Sequence, residues 1–269
     1  FNSLTIKQIE IYNDDPYKSR GNFYVSITYE ENPTTEYVDN DLYQAIDLGI
    51  TKIVTAVNTQ GKFFEVKTPR SDQYWNPKID SIKSRRDHCK KGSKRWNRLH
   101  KTYRKIEAKK SNQIKDFQHK LSKTMIENTK SNTIIVGDLN VKNMAQSKKL
   151  KGKRKRSQNR STQNQGYLSR FIEFLTYKAE LAGKKAIRID EAYTSKECCI
   201  CGIRNEMPLW ERTMQCDCGN VIDRDRNSAI NIMKRFLSQN ALWTSYQKFS
   251  DNLRQTGLQM DTCILQISK

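Results

Sequence analysis

Two kinds of residue in this sequence are spaced for chemistry: cysteines late in the chain, and acids at the ends of strands and helices. Cys198-x-x-Cys201-Gly202 and Cys216-x-Cys218-Gly219 stand 14 intervening residues apart. Two short cysteine hairpins of this kind offer four thiolates to one tetrahedral Zn2+, and four thiolates leave no open position for a catalytic water. The glycine after each pair lets the backbone turn and aim amides at sulfur. The second pair is Cys-x-Cys, so its hairpin must be tighter. Cys199 lies inside the first pair and reads as a free or supporting thiol. Five of the seven cysteines fall within 21 residues, which in a reducing compartment points to metal rather than disulfides. Cys89 and Cys263 are isolated, and His88, His100 and His119 have no ligand-like spacing.

Among the acids, Asp47 sits late in the strand-like run Ala45-Ile46-Asp47-Leu48-Gly49. A carboxylate in a buried strand is costly unless paired or bound to metal. Asp225 sits in Asp223-Arg224-Asp225-Arg226-Asn227-Ser228, at a helix start. Asp223 suits the cap, and Asp225 falls in the first turn, where it can aim at a sheet. Hard divalent cations take oxygen ligands. Acids drawn from a strand and a helix therefore suit a two-metal phosphodiester hydrolysis.

The elements that must position these residues follow from periodicity. Residues 4–11 and 22–30 alternate as strands, and 31–40 read as a linker. Three strands follow at 42–48, 52–58 and 62–67. Residues 78–128 predict two basic helices joined near Lys90–Ser93. A buried strand at 133–136 ends at Gly137-Asp138. Residues 145–165 are polar and basic and predict a loop. Leu168, Phe171, Ile172, Leu175, Ala179 and Ala182 mark an amphipathic helix stopped by Gly183, followed by a strand at 186–190. After the cysteine segment, a helix over about 224–239 carries Ala229, Ile230, Met233, Phe236 and Leu237 on one side. This order predicts an α/β chain of RNase H-like design: a mixed sheet flanked by helices. It divides into a β-rich remnant (1–40), a nuclease core (41–193) with a basic helical hairpin (78–128), a zinc-finger insert (194–222), a last core helix (223–240) and a helical tail (241–269). The first residue is Phe1, with strand-like sequence directly after it, so a piece of a longer chain is expected.

The chain has 269 residues and a formal charge of +20, from 49 Lys+Arg against 29 Asp+Glu. Such a field favours a polyanion, nucleic acid above all. No apolar run is long enough to span a bilayer, so a soluble chain is expected, cytoplasmic and nucleoid-associated in a prokaryote or nuclear in a eukaryote. The basic loop (Lys148, Lys149, Lys151, Lys153, Arg154, Lys155, Arg156) is expected to meet phosphate, which gives salt-sensitive binding without sequence preference. Arg85, Arg86, Lys90, Lys91, Lys94 and Arg95 are expected to line a nucleic-acid path. Arg224 and Arg226 flank Asp225 and either steady a scissile phosphate or pair with Asp223. Trp75, Trp96, Trp210 and Trp243 divide between packing and base stacking, with packing favoured for most.

The segments AIDLGI, TIIVGDLNVKNM, TSKECCICG and CDCGNVIDRDRNSAINI, in that order, resemble the transposon-encoded TnpB family. They also resemble its eukaryotic Fanzor relatives and the type V CRISPR effectors. The likeness spans roughly residues 40–240. It implies a RuvC nuclease domain, RNA-guided cleavage of DNA, guide RNA and target DNA as partners, one structural Zn2+, and two catalytic Mg2+ or Mn2+. The first two strands resemble the end of the family's β-rich wedge domain. On the family pattern Asp47 and Asp225 match the first and third catalytic acids. Many members carry the second acid as a Glu directly after the fourth strand, where this chain has Gly137. Either the nuclease is dead, or another acid has taken over. Some lineages, Fanzors among them, place a Glu just before the zinc motif, and Glu191 stands there. Its strand should neighbour the one ending at Gly137 at about 4.8 Å, with Gly137 clearing a path toward Asp47. Asp138 and Asp190 should point to the opposite face. The expected function is an RNA-guided, divalent-metal-dependent DNA endonuclease acting through Asp47, Glu191 and Asp225. Two alternatives stand beside it: a cleavage-deficient, guide-dependent DNA binder, and an RNase H-like transposase or resolvase that uses no RNA.

Overall fold

A computed structural model describes residues 5–13, 23–31, 35–138, 168–208, 210–255 and 262–264. The basic loop residues Lys148 to Arg156 lie outside the described residues. Strands β1 (Thr5–Asn13) and β2 (Phe23–Glu30) form an antiparallel pair of their own. Ile9, Ile11, Phe23 and Val25 on it are exposed.

The second sheet is built from β3 (Tyr43–Asp47), β4 (Lys52–Asn58) and β5 (Phe63–Lys67), then β6 (Thr133–Gly137), β7 (Lys185–Ile189) and β10 (Thr262–Ile264). Its spatial order is β10-β5-β4-β3-β6-β7. The β3–β4–β5 meander is antiparallel, while β6 and β7 run parallel to β3. The parallel half needs helical crossovers. These are supplied by α1 (Ser71–Asp87) and α2 (Lys94–Asn128) before β6, and by α3 (Leu168–Leu181) before β7. Within the cysteine segment β8 (Thr213–Gln215) pairs with β9 (Val221–Asp223), which runs straight into α4 (Arg224–Gln239) and then α5 (Trp243–Gln255).

The sheet carries a core on each face, and residue parity sorts them. Tyr43, Ala45, Val57, Ile135 and Ile189 pack with Ala229, Ile230, Met233 and Phe236 of α4. Ile46, Val54, Ala56, Ile134 and Val136 pack with Leu121 and Met125 of α2 and Phe171 and Leu175 of α3. β6 is covered on both sides, so all five of its residues, TIIVG, are buried and it reads as a continuous apolar run. Two lysines tie α3 and its following turn to α2. Lys178 Nζ donates to the His119 carbonyl and to Ser122, and Lys184 Nζ donates to the carbonyls of Ile126 and Thr129. A cation there also complements the helix C-terminus.

Three details differ from the expected elements. Helix α1 begins at Ser71 rather than 78, with Pro77 inside it. Its start is held by a two-pronged Arg70–Asp72 pair at 3.1 Å, and its body by Trp75 Nε1 donating to Gln113 and Lys110 donating to Asn76. Tertiary contacts of this kind override the proline signal. The tail is not helical throughout, because residues 262–264 add a parallel strand to the edge of β5. A bare sheet edge offers unpaired amides and carbonyls for such an addition. Finally, Arg86 is turned inward: its guanidinium lies 4.9 Å from the Tyr103 ring and pairs with Asp87 at 2.7 Å. Arg85, Lys94 and Arg95 at the hairpin tip are exposed.

The meander is joined to α4 by buried charge. Glu65 on β5 accepts from Arg226 Nε at 2.8 Å and Lys52 Nζ at 3.1 Å, and Lys52 also pairs with Asp223 at 3.0 Å. Removing one partner of a buried ion pair strands the other charge, at a cost of about 3–5 kcal/mol. Glu65→Ala is therefore expected to lower stability by ~3 kcal/mol in urea unfolding, whereas Glu10→Ala on the exposed hairpin should leave the midpoint unchanged.

Candidate active site

Parity and register bring the sequence-predicted acids to one edge of one face. On β3, Tyr43 and Ala45 face α4, so Asp47, two residues further, faces it too. On β6 the same holds for Ile135 and then Gly137. On β7 it holds for Ile187 and Ile189, and Glu191 continues the series just beyond the strand. Gly137 pairs with Ile189, and Val136 with Ile46. The three strand ends thus lie side by side.

Glu191 lies directly over Gly137. A Cβ on Gly137 would overlap Glu191 Oε2 and sit 3.1 Å from both the Glu191 carboxyl carbon and Ile232 Cδ1 of α4. Only glycine leaves this passage open. Oε2 of Glu191 is buried and has no hydrogen-bond partner among the described residues. Burial raises the Glu191 carboxyl to about 7, helped by nearby Asp138 and Asp190. Those two acids are exposed, and Asp190 is occupied capping the Ala192 amide at 3.0 Å.

Burial pushes Asp47 well above the usual carboxylate range, reinforced by the negative charges of Glu191 and Asp225. It takes part in a hydroxyl chain. Ser228 Oγ lies 2.8 Å from Asp47 Oδ1 and 2.9 Å from Thr194 Oγ1, which lies 2.9 Å from the Glu191 carbonyl. With Asp47 ionised, Ser228 donates to it and Thr194 donates to the carbonyl. The contact between the two hydroxyls then has no proton. The bond from Ser228 favours the ionised Asp47 carboxylate and so works against the burial that raises it.

Asp225 stands in the first turn of α4. Asp223 is the cap, its Oδ1 accepting from the amides of Asp225 and Arg226 at 3.0 and 3.2 Å. Burial raises the Asp225 carboxyl, and the adjacent Asp223 adds to this. Arg224 and Arg212 each approach its Oδ1 at 3.7 Å. Arg212 was not singled out by sequence, since a lone arginine in a loop has no spacing signal. It donates to Thr51 at 3.0 Å, and its side chain is half exposed. Arg224 is turned inward against the Glu211 carbonyl, and Arg226 is paired with Glu65. Of the three arginines, Arg212 has the open approach.

The cysteine segment is a second centre. The sulfurs of Cys198, Cys201, Cys216 and Cys218 all lie within 4.8 Å of one another, with Cys198–Cys218 at 3.7 Å and Cys201–Cys216 at 3.5 Å. Tetrahedral Zn–S bonds of about 2.3 Å place sulfurs roughly 3.8 Å apart, so this cluster suits a metal such as zinc. Gly202 and Gly219 take φ of 74° and 89°, conformations that favour glycine. Asn220, missed by sequence, donates to Cys198 Sγ at 3.2 Å. Cys199 is buried in the core, and its thiol is pushed up to about 11 by burial. The three acids are not part of so tight a cluster among the described residues.

All three acids bind protons more tightly folded than unfolded. The folded state then holds extra protons above the unfolded pKa of about 4, and stability falls as pH rises. With divalent metal chelated, the melting temperature is expected to decline from about pH 4 to beyond 7, where Glu191 titrates. Asp47→Asn, which carries no proton to lose, should flatten that decline in a pH series of thermal melts.

Comparisons with known proteins agree in chain order. Residues 26–148 match the OrfB_IS605 family model, described as "Probable transposase", and residues 169–232 match the model "Cas12f1-like, TNB domain". A Streptomyces pristinaespiralis protein with the provisional name RNA-guided DNA endonuclease is 30% identical over 82% of this chain and 52% of its own length. A TnpB-like protein of Methanocaldococcus jannaschii is 31% identical over 63% of this chain and 60% of its own. The chain spans about half the length of the curated relatives it matches. Among solved structures, a chain of the Cas12f1-sgRNA-target DNA complex superposes with a TM-score of 0.59 at 17% identity, over 85% of this chain and 45% of that one, a likeness of fold. Two family models on either side of residues 149–168, together with these relatives, make the chain similar to TnpB-like proteins along most of its length.

Proposed function

We propose that this chain is the nuclease part of an RNA-guided, divalent-metal-dependent DNA endonuclease with a RuvC site on an RNase H-like sheet. The observation that carries the reading is Glu191. Its carboxylate lies over β6 in the space left by Gly137 and holds a buried oxygen without a partner among the described residues. A buried, unpaired carboxylate oxygen beside two further acids is costly, and a hard cation would offset the cost. The residues present therefore fit Mg2+ or Mn2+, with Asp47, Glu191 and Asp225 as the ones that would hold it. Such ions activate water and stabilise a leaving oxygen in phosphodiester hydrolysis.

The chain's own groups do the positioning. Ser228 and Thr194 fix the Asp47 carboxylate and the Glu191 backbone together. Arg212 is placed to meet a phosphate oxygen beside Asp225, as a charge-assisted donor. Arg85, Lys94 and Arg95, with Lys151, Lys153, Arg154, Lys155 and Arg156, are assigned to the phosphates of guide RNA and target DNA. Arg86 and Arg226 serve structure instead. One Zn2+ on the four cysteines holds the insert, and a nucleoid-associated or nuclear location goes with this reading. The absence of an acid at 137 favours a second reading, a guided binder that does not cut.

Glu191→Gln decides between them. It is expected to abolish Mg2+-dependent cleavage of target DNA by the chain with its co-purified RNA, while zinc content stays at one per chain. Retained cleavage would remove Glu191 from the site, and wild type that binds without cutting would leave the second reading. Position 137 gives a reciprocal test. Gly137→Glu alone should block the passage and inactivate, while Gly137→Glu combined with Glu191→Ala should recover part of the activity. Mg2+ should also raise the melting temperature more at pH 8 than at pH 6, because at the lower pH it competes with protons on the acids.

A further inference from the structure

Two residues beyond Glu191 the backbone takes an unexpected form. Tyr193 has φ of 68°, the left-handed region that a bulky residue rarely adopts. It is the third residue of the turn closed by the Thr194 amide on the Glu191 carbonyl at 3.1 Å. Glycine or asparagine usually fills that position.

The turn is held from every side. Arg235 of α4 donates to the carbonyls of Asp190 and Ala192 at 2.7 and 3.0 Å. The Thr194 hydroxyl reaches the Glu191 carbonyl, and the amides of Lys196 and Glu197 take that of Tyr193. Asn227 and Asn231 donate to that of Thr194. Five consecutive carbonyls are thereby fixed, which is how a strained residue persists. The strain gives the fold no core side chain in return, because Tyr193 is 55% exposed. Its ring lies over the Arg204 guanidinium at 3.9 Å. Arg204 is itself fixed by Glu197 at 3.1 Å and by a backbone bridge to the same residue. The result is a rigid aromatic plate, backed by a cation and presented to solvent beside the acids.

We propose that Tyr193, backed by Arg204, is a stacking platform for a nucleobase of single-stranded DNA next to the candidate cleavage site. Aromatic faces accept any base, and stacking on one strengthens single-strand binding severalfold per base. A cation beneath the ring adds charge for the neighbouring phosphate. This inference rests on the nucleic-acid reading above but not on cleavage, and Tyr193 serves as a positioning residue.

The test compares binding of an oligothymidylate of roughly 12 nucleotides with an abasic strand of equal length, by anisotropy on the full chain without added divalent metal. Both strands have the same phosphates, so their ratio isolates the bases. Tyr193→Trp should keep the wild-type ratio, while Tyr193→Leu and Tyr193→Gly should lower it about fivefold. Tyr193→Gly also relieves the strained φ, so it should melt no lower than wild type. An unchanged ratio in Tyr193→Leu, or wild type that binds neither strand, would overturn the platform. A Tyr193→Gly variant that melts well below wild type would make the ring a structural cap and overturn it as well. Failure of the nuclease reading shows in the cleavage assay and failure of the platform in the base ratio of Tyr193→Leu, so the two failures are separable.

Discussion

Two side chains cannot occupy one space, and the candidate site is organised around that exclusion at Gly137. Strand β6 lies between β3 and β7, so an acid on the β7 side reaches Asp47 only by crossing it. One strand spacing of about 4.8 Å is within reach of a glutamate, and it brings the Glu191 carboxylate over Gly137, on the side of β6 that faces Asp47's own layer. That space is open only where the intervening residue has no Cβ. The parallel register places Gly137 opposite Ile189, two residues before Glu191. A slip of one residue would turn both to the other face and put the acids under α2 and α3 instead. Strand order, register and the identity of one glycine are therefore a single constraint.

Electrostatics around the acids have the same economy. The chain carries a charge of +20, yet the acids stay short of cations. Arg226 and Lys52 lie close by, but Glu65 and Asp223 already hold them. Arg224 and Arg212 approach only Asp225, at 3.7 Å. Among the described residues no cation is in direct contact with Asp47 or Glu191, and burial dominates both. The neighbouring cations anchor the start of α4 and leave the carboxylates uncompensated. In the proposed function a divalent ion, rather than a lysine, supplies the charge missing from this environment.

Much of this was legible in the sequence because it rests on period and spacing. Asp47 follows the buried alternation of Tyr43 and Ala45, and α4 appears at its expected bounds because its apolar residues recur on one side. The four cysteines declare themselves by paired spacing. What was hidden depends on partners far along the chain. Nothing local shows that Arg226 will meet Glu65, 161 positions away, or that Arg86 will fold onto Tyr103. Pro77 suggests a boundary that the contacts of Trp75 and Lys110 override. The left-handed Tyr193 is the hardest case, since its residue type argues against the conformation it adopts. Only the braces from α4 account for it.

Those braces show how two centres without a shared ligand are coupled. The polar side of α4 would pass for a solvated helix face, but Asn227, Ser228, Asn231, Lys234 and Arg235 all bind the segment from Asp190 to Cys199. Asn227 is fully buried, accepting from the Cys199 amide at 2.9 Å and donating to the Glu197 carbonyl at 2.7 Å. The residue that joins the cysteine hairpin to the helix thus sits next to Ser228, which orients Asp47. A metal held by the four cysteines would also order the loop carrying Arg212 and Arg204 and the turn from which Glu191 departs. The cysteine cluster is thereby joined to the carboxylates by backbone geometry, and four thiolates on one metal would leave it no open position for chemistry of its own.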